Sequence, residues 1–418
     1  MSPQNHPEPL SGNEKSSGTP RKHTLLKHPG ARSALAVGRA LLEKGHQAVI
    51  AGGAVRDLLM GGEPKDFDIA TNAHPEEVLA CFRRTRKVGI AFGVVLVNDF
   101  GETVEVATFR TDLEYLDGRR PEGVVFTDAK NDAQRRDFTV NGLFLDLESF
   151  EIVDHVGGQS DLEAGVLRAI GDPERRFAED YLRMLRAVRF SVRLNFEIEA
   201  NTAAVIKKKV GSLKDIAADR IHEELARTFS VEQSDRALKL LNNFGMLEVL
   251  FEQPTAPCEL PPDHRAQEGG DYSAVLSLLL RNRGRSQLDR DLKALRSTNE
   301  EKKCIQGIVR ALSALPNYLN IRVSQKKRLL RDHSRKHLLF LIHRCPELDE
   351  ARKTIEHDLL NWSQQDLYPP ILPSGQDLLE KGYTPGPHIG KILDELEDLL
   401  LEGSIVSKEE VEAHLEKR

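Results

Sequence analysis

Residues 46–72 read HQAVIAGGAVRDLLMGGEPKDFDIATN. His46 to Ala51 is a short apolar run entering a Gly-Gly pair, which predicts a buried strand that runs into a tight turn. Leu58 to Gly62 predicts a short helix closed by a second glycine pair, and Asp66 to Ile69 predicts a second strand. Residues two apart on a strand share a face, so Asp66 and Asp68 present their oxygens side by side. Two carboxylates that close repel unless a cation lies between them. A hard divalent ion such as Mg²⁺ fills that place, bound by one or two carboxylates plus substrate phosphate. A solvated strand end shows the same pattern, so the rest of the chain has to decide.

The flanking segments are consistent with a small α/β unit. Ser33 to Lys44 has helical periodicity, and His74 to Phe82 opens a helix with Pro75 in its first turn. Gly93–Val97 and Thr103–Phe109 form a hairpin signal around Asn98–Gly101. Glu105 alternates with Val104 and Val106, so with the valines in the core it faces the open side as a third acid, with Glu102 as its competitor. Gly52 and Gly53 follow a strand, where glycine lets backbone amides approach a phosphate. With Arg56 between this turn and the aspartates, the stretch describes a triphosphate seat beside a metal pair. That combination points to phosphoryl or nucleotidyl transfer.

Beyond Asp161 helical periodicity takes over, and strand candidates almost vanish. In RRFAEDYLRMLRAVRFSVRL (Arg175–Leu194), a continuous helix would place Glu179, Asp180 and Arg183 within roughly 100° of arc. One reading is a set of surface ion pairs worth about 0.3–0.5 kcal/mol each. The other is a base-reading turn, in which an acid accepts from an exocyclic amino group and an arginine donates to the neighbouring ring nitrogen. Cytosine and adenine share that pattern, whereas uracil and guanine invert it. Arg186, Arg189 and Arg193 fill a further face of the same helix. In RRDFTVNGLFLD (Arg135–Asp146), Arg136 is placed to bond phosphate and Asp137 to accept from a ribose hydroxyl, with Asn141 four residues on.

Composition narrows the class. The 418 residues are 39% hydrophobic and 30% charged, with no apolar run of membrane-spanning length, so no membrane role is expected. The N-terminal residues 1–22 lack an apolar core and read as a disordered lead-in rather than a secretory signal. Four cysteines never form a CxxC pair, which argues against a zinc site or disulfide framework and for the cytoplasm. Net charge is −6, yet seven arginines fall between Arg168 and Arg193, and a local basic patch suffices for nucleic acid. Breaks rich in Pro and Gly at 254–270 and 368–387 mark boundaries, and there is no internal repeat.

Together, GGAVRDLLMGGEPKDFDIAT, VEVATFRTD, RRDFTVNGLFLD, RFAEDYLRMLRAVRF and DRIHEEL resemble the class II tRNA nucleotidyltransferase and bacterial poly(A) polymerase family. The resemblance is strong from Val49 to Phe251, and GQDLLEKGYTPGPHIGKILDELEDLLLEG resembles the tail of CCA-adding enzymes. It implies an α+β multidomain fold: a DNA polymerase beta-like nucleotidyltransferase head with a mixed sheet (23–160), then an all-α neck (161–235), body (236–367) and tail (368–418). It also implies site roles. Asp66 and Asp68 would hold two Mg²⁺ ions with Glu105 as third carboxylate, and Gly52, Gly53 and Arg56 would hold the triphosphate. Arg136, Asp137 and Asn141 would contact phosphate and ribose. Asp180 and Arg183, supported by Glu179, would template the base, and Arg186 and Arg189 would complete the pocket. Expected substrates are CTP, ATP and a tRNA 3′ end gripped by body and tail, with no stable protein partner.

The chain departs from the family pattern at Tyr181, where proline is usual, at Gly142, where alanine is usual, and at Phe92, where histidine is common. The acidic tail end and the absence of a Gly-Arg-Arg-Phe-like element favour tRNA end repair over poly(A) addition. FRTDLEYLDGRRP (Phe109–Pro121) resembles the loop associated with adding A, which disfavours a CC-only enzyme and leaves an A-only enzyme open. A catalytically inactive RNA-binding protein is disfavoured by the intact Asp66 and Asp68. Asp263-His264 alone does not supply an HD phosphohydrolase site.

Overall fold

A computed structural model describes residues 25, 27–88, 92–112, 123–230, 233–251, 255 and 271–417. The expected lead-in, most of the Phe109–Pro121 loop and Asp263-His264 lie outside the described residues. The chain divides into two compact units. One comprises residues up to Arg183 with Phe196–Val205, the other Met184–Asn195 with residues from Ile206 onward.

Among the described residues, every strand lies in the first unit: β1 (Ala48–Ala51), β2 (Asp68–Thr71), β3 (Thr85–Lys87), β4 (Val94–Val97), β5 (Val104–Thr108), β6 (Arg110–Asp112), β7 (Val124–Phe126), β8 (Leu143–Asp146), β9 (Ile152–Asp154), β10 (Val166–Leu167) and β11 (Glu197–Ile198). Seven of them form one sheet in the order β3-β4-β5-β2-β1-β8-β9. Every neighbouring pair is antiparallel except β2 with β5, so the sheet is mixed. The parallel pair needs a crossover, and the helix Pro75–Cys81 lies within the connection. Alternation sets the faces. Ile50, Ile69, Val95, Val97, Val104, Val106 and Leu145 join Leu35 and Leu41 of the helix Pro29–Glu43 in one apolar core.

The glycine turn differs from its sequence expectation. The helix begins at Gly53 and ends at Leu59, instead of occupying Leu58–Gly62. Gly52 turns the chain at φ 68°, a left-handed conformation that glycine adopts at little cost, and the Val55 and Arg56 amides bond back to its carbonyl. Ala51 pairs with Asp68 as the last register pair of β1 with β2, so the strand starts at Asp68 and Asp66 lies in the irregular connection before it.

Two further expectations are corrected. Arg175–Leu194 is two helices, Pro173–Glu179 and Leu182–Leu194, broken at Asp180, whose backbone is extended at φ −155°, ψ 104°. The region after residue 160 is not wholly helical either, because β10 and β11 pair in parallel.

The described residues of the second unit from Ile206 onward are helices and connections. Helix Tyr272–Leu280 is buried at eight of its nine positions, so it forms the centre around which other helices pack. The helices Gly375–Glu380, Pro387–Leu401 and Lys408–Glu416 share a separate apolar cluster built on Leu378, Leu396, Leu400 and Leu415. None of the described helices is long and apolar enough to cross a membrane.

Candidate active site

Three acids converge at the open side of the sheet. The register Ile69 to Val106 brings Asp68 level with Glu105 on the adjacent parallel strand. Phe67 is buried between two exposed aspartates, so Asp66 and Asp68 turn outward together even though only Asp68 lies on the strand. Asp68 keeps solvent on one side, yet partial burial, then Glu105, then Asp66 push its carboxyl up to about 6, while Arg136 pulls the other way. Glu102 lies in the turn before β5, outside this set.

Such crowding fits a hard divalent cation, whose charge would relieve the repulsion. Among the described residues no group of three or more acid, histidine or cysteine side chains is placed to hold a metal ion by itself. A cation held between Asp66 and Asp68 would therefore need substrate oxygens to complete its ligands.

Beside these acids stands the glycine turn. The Gly52 amide donates to the Leu143 carbonyl at 3.0 Å. A β carbon on Gly52 would come within 2.7 Å of Arg136 Nη1, so the position needs glycine for space as well as for its dihedral angle. Arg136 is fixed by Asp132 and lies 5.0 Å from the Phe144 ring centroid.

Arg56, Asp137 and Asn141 are brought together, but in a buried relay. Arg56 is 2% exposed, pairs with Asp57 at 2.6 Å and donates to Asn141 Oδ1. Asn141 Nδ2 donates to Asp137 Oδ1 at 3.0 Å, which also accepts the Phe138 amide. The three residues hold one another and support the floor of the glycine turn.

The expected base-reading residues take a third position in the first unit. Glu179 Oε2 accepts from Arg176 at 2.8 Å and from Arg183 at 2.6 Å. Arg183, 8% exposed, also donates to the carbonyls of Arg176 and Arg135. Asp180 accepts from the Leu182 amide at 3.1 Å, which accounts for the break in the helix. Gly53 lies at the first turn of its helix. Arg186 and Arg189 belong to the second unit, where both flank the Phe190 ring and Arg189 pairs with Glu224.

Several partners escaped the sequence reading: Asp57, Asp132, Arg176 and Glu224. Asp132 had a legible signal, since it precedes Arg135 and Arg136 by three and four residues, the spacing of neighbours on a helix. Burial opposes its charge, but Arg136 and Arg135 outweigh burial and hold its carboxyl below the usual range.

Acids beside a glycine turn and fixed guanidiniums, on a small mixed sheet, are an arrangement suited to nucleotidyl transfer. Residues 48–168 match the family described as Poly A polymerase head domain, and residues 195–256 match Probable RNA and SrmB- binding site of polymerase A. A CCA-adding enzyme of Lactobacillus johnsonii is 30% identical over 385 residues, covering 90% of this chain and 94% of that protein. Poly(A) polymerase I of Escherichia coli O157:H7 is 39% identical over 241 residues, 55% of this chain and 52% of that one, so this chain spans about half the length of such relatives. The crystal structure of the Bacillus stearothermophilus CCA-adding enzyme in complex with CTP superposes with a TM-score of 0.67 at 27% identity, covering 94% of this chain and 98% of that one. The chain belongs to the family of CCA-adding enzymes and bacterial poly(A) polymerases. It is a nucleotidyltransferase, with the divalent-metal dependence that the family implies.

Proposed function

We propose that this chain adds CMP and AMP, from CTP and ATP, to the 3′ end of tRNA without a nucleic-acid template. The observation that carries the reading is the gathering of Asp66, Glu105 and Arg136 around Asp68 beside the glycine turn. Near full-length similarity to a CCA-adding enzyme supports tRNA as the acceptor.

Asp66 and Asp68 would hold two Mg²⁺ ions, with Glu105 as third carboxylate. When bound, the ions would neutralise phosphate charge and favour the ionised terminal hydroxyl. Gly52, Gly53 and Arg56 are assigned to the triphosphate seat together with Arg136. Because the Gly52 amide is taken by the Leu143 carbonyl and Arg56 by Asp57 and Asn141, Gly52 and Arg56 would act by shaping the turn. Asp137 accepts from the ribose, while Asn141 and Arg56 keep it in place. Asp180 accepts from the exocyclic amino group of C or A, and Arg183, braced by Glu179, donates to the ring nitrogen. Arg186 and Arg189 are assigned nucleotide contacts on family resemblance alone. Residues 23–160, 161–235, 236–367 and 368–418 are assigned as head, neck, body and tail, with body and tail binding tRNA, and the site of action is the cytoplasm.

Poly(A) addition is the second reading, favoured by the 39% identity to poly(A) polymerase I over its matched half. Incubation of tRNA lacking CCA, tRNA ending in CC and an unstructured RNA with single nucleoside triphosphates separates the readings. CCA addition predicts CMP on the first substrate and a single AMP on the second. Long A tails on unstructured RNA would replace it with poly(A) addition, and extension of the CC-ending tRNA alone would indicate an A-adding specialist.

A further inference from the structure

Asp132 is 2% exposed and has no place in the chemistry described so far. It sits on the helix Ala129–Gln134 and divides two guanidiniums between its oxygens. Oδ1 accepts from Arg135 Nε and Nη2 at 2.9 and 2.8 Å, and Oδ2 from Arg136 Nε and Nη2 at 3.2 and 3.0 Å. Oδ1 also accepts the backbone amide of Arg110, on β6, at 3.3 Å. One buried carboxylate thus fixes two arginines and pins a strand.

The consequence lies with Arg136. Gly52 follows Ala51, the register partner of Asp68, and Arg136 Nη1 occupies the space a Gly52 side chain would need. The Arg136 guanidinium thus lies close enough to Asp68 for its charge to act on that carboxyl. Guanidinium pairs readily with carboxylate in a two-pronged fork, so an unrestrained Arg136 would swing onto Asp68 and take the oxygens a metal needs. Asp132 occupies the Nε–Nη2 edge of Arg136, leaving Nη1 directed at the Asn141 carbonyl, 3.3 Å away.

We infer that Asp132 is a positioning residue that keeps Arg136 beside the metal carboxylates and off them, so that Asp66 and Asp68 stay open to a divalent cation. This rests on the metal role assigned to those aspartates.

The test is Mn²⁺ binding to the full chain, followed by the electron paramagnetic resonance of the free ion, with no RNA or nucleotide present. Asp132→Asn keeps the shape and removes the charge. It should raise the half-saturating Mn²⁺ concentration about tenfold, the scale on which ligand-orienting partners act. Adding Arg136→Gln to that variant should restore wild-type Mn²⁺ binding, which a merely structural role for Asp132 does not predict. Unchanged Mn²⁺ binding in folded Asp132→Asn overturns the inference, as does a double variant that stays as weak as the single one. Should Asp132→Asn not fold by circular dichroism, Arg136→Gln alone decides. Binding at least as tight as wild type supports the competition, and weaker binding overturns it. Asp66→Ala serves as the separate control: Mn²⁺ binding that survives it would remove the metal assignment itself, whichever RNA the enzyme extends.

Discussion

Asp68 stands level with Glu105 on the adjacent parallel strand, and the two carboxylates share the open side of the sheet with Asp66. In the metal-free protein this crowding is a liability. Burial and the two neighbouring acids raise Asp68 to about 6 from its ordinary 3.8, so between these values the folded chain binds protons that the unfolded chain has released. Stability should therefore fall as pH rises through that window. Asp68→Asn removes the charge that is repelled. In chelator-treated protein its melting temperature should lose less than wild type between pH 4 and 7, although nucleotide incorporation is abolished. Equal pH slopes in the two melting series would show that Asp68 is not crowded by its neighbours.

The Arg56–Asn141–Asp137 relay makes a different demand on stability. Asn141 is 8% exposed and satisfies a buried guanidinium on one side and a carboxylate on the other. Asn141→Ala removes one hydrogen bond from each, although Arg56 keeps Asp57 and Asp137 keeps the Phe138 amide, and a hydrogen bond lost at a buried charged group costs about 1–3 kcal/mol. Urea unfolding should show a loss of that size with an unchanged m-value. A midpoint equal to wild type would mean that water or a rearranged Arg56 replaces the amide.

How far the sequence carried the reading differs between sheet and site. Val104-Glu105-Val106 announced its two faces because strand alternation is local, and the helix after His74 announced its start through Pro75. The helix after Gly53 was misplaced because Gly-Gly reads as a stop, while here the first glycine makes the turn and the second already opens the helix. The break at Asp180 was hidden by unbroken periodicity: the acid bonds the Leu182 amide, a local competitor to the helical pattern. Partners such as Glu224 for Arg189 lie 35 residues away, and only tertiary packing brings them together.

Arg183 presents a sharper specificity question now that its partners are known. Glu179 and the carbonyls of Arg176 and Arg135 hold its guanidinium in one plane. A fork so fixed can tell a ring acceptor from a ring donor, and a lysine would not. Arg183→Lys should therefore lower kcat/KM for CTP and ATP about tenfold or more while leaving UTP and GTP near their low starting values, so the preference shrinks. Discrimination that stays at the wild-type ratio would leave Arg183 as a brace for the turn and no more.

In the second unit, His337 offers a pH signature separate from the active site. Its Nε2 lies 2.7 Å from Asp271 Oδ2, and its Nδ1 faces the Cys304 sulfur at 3.9 Å. The bond to Asp271, then that to Cys304, raises the imidazole to about 9 against the opposing effect of burial. The folded chain holds a proton that the unfolded chain gives up near 6.5, so the stabilisation is fully present below that pH and is lost as pH rises towards 9. Asp271→Asn removes the principal cause, and it should narrow the gap in melting temperature between pH 6 and pH 9. Asp271 also accepts the Ala274 amide as helix cap, a role asparagine keeps, so the comparison isolates charge from capping. A variant whose melting temperature falls as steeply as wild type across that range would place the alkaline loss elsewhere.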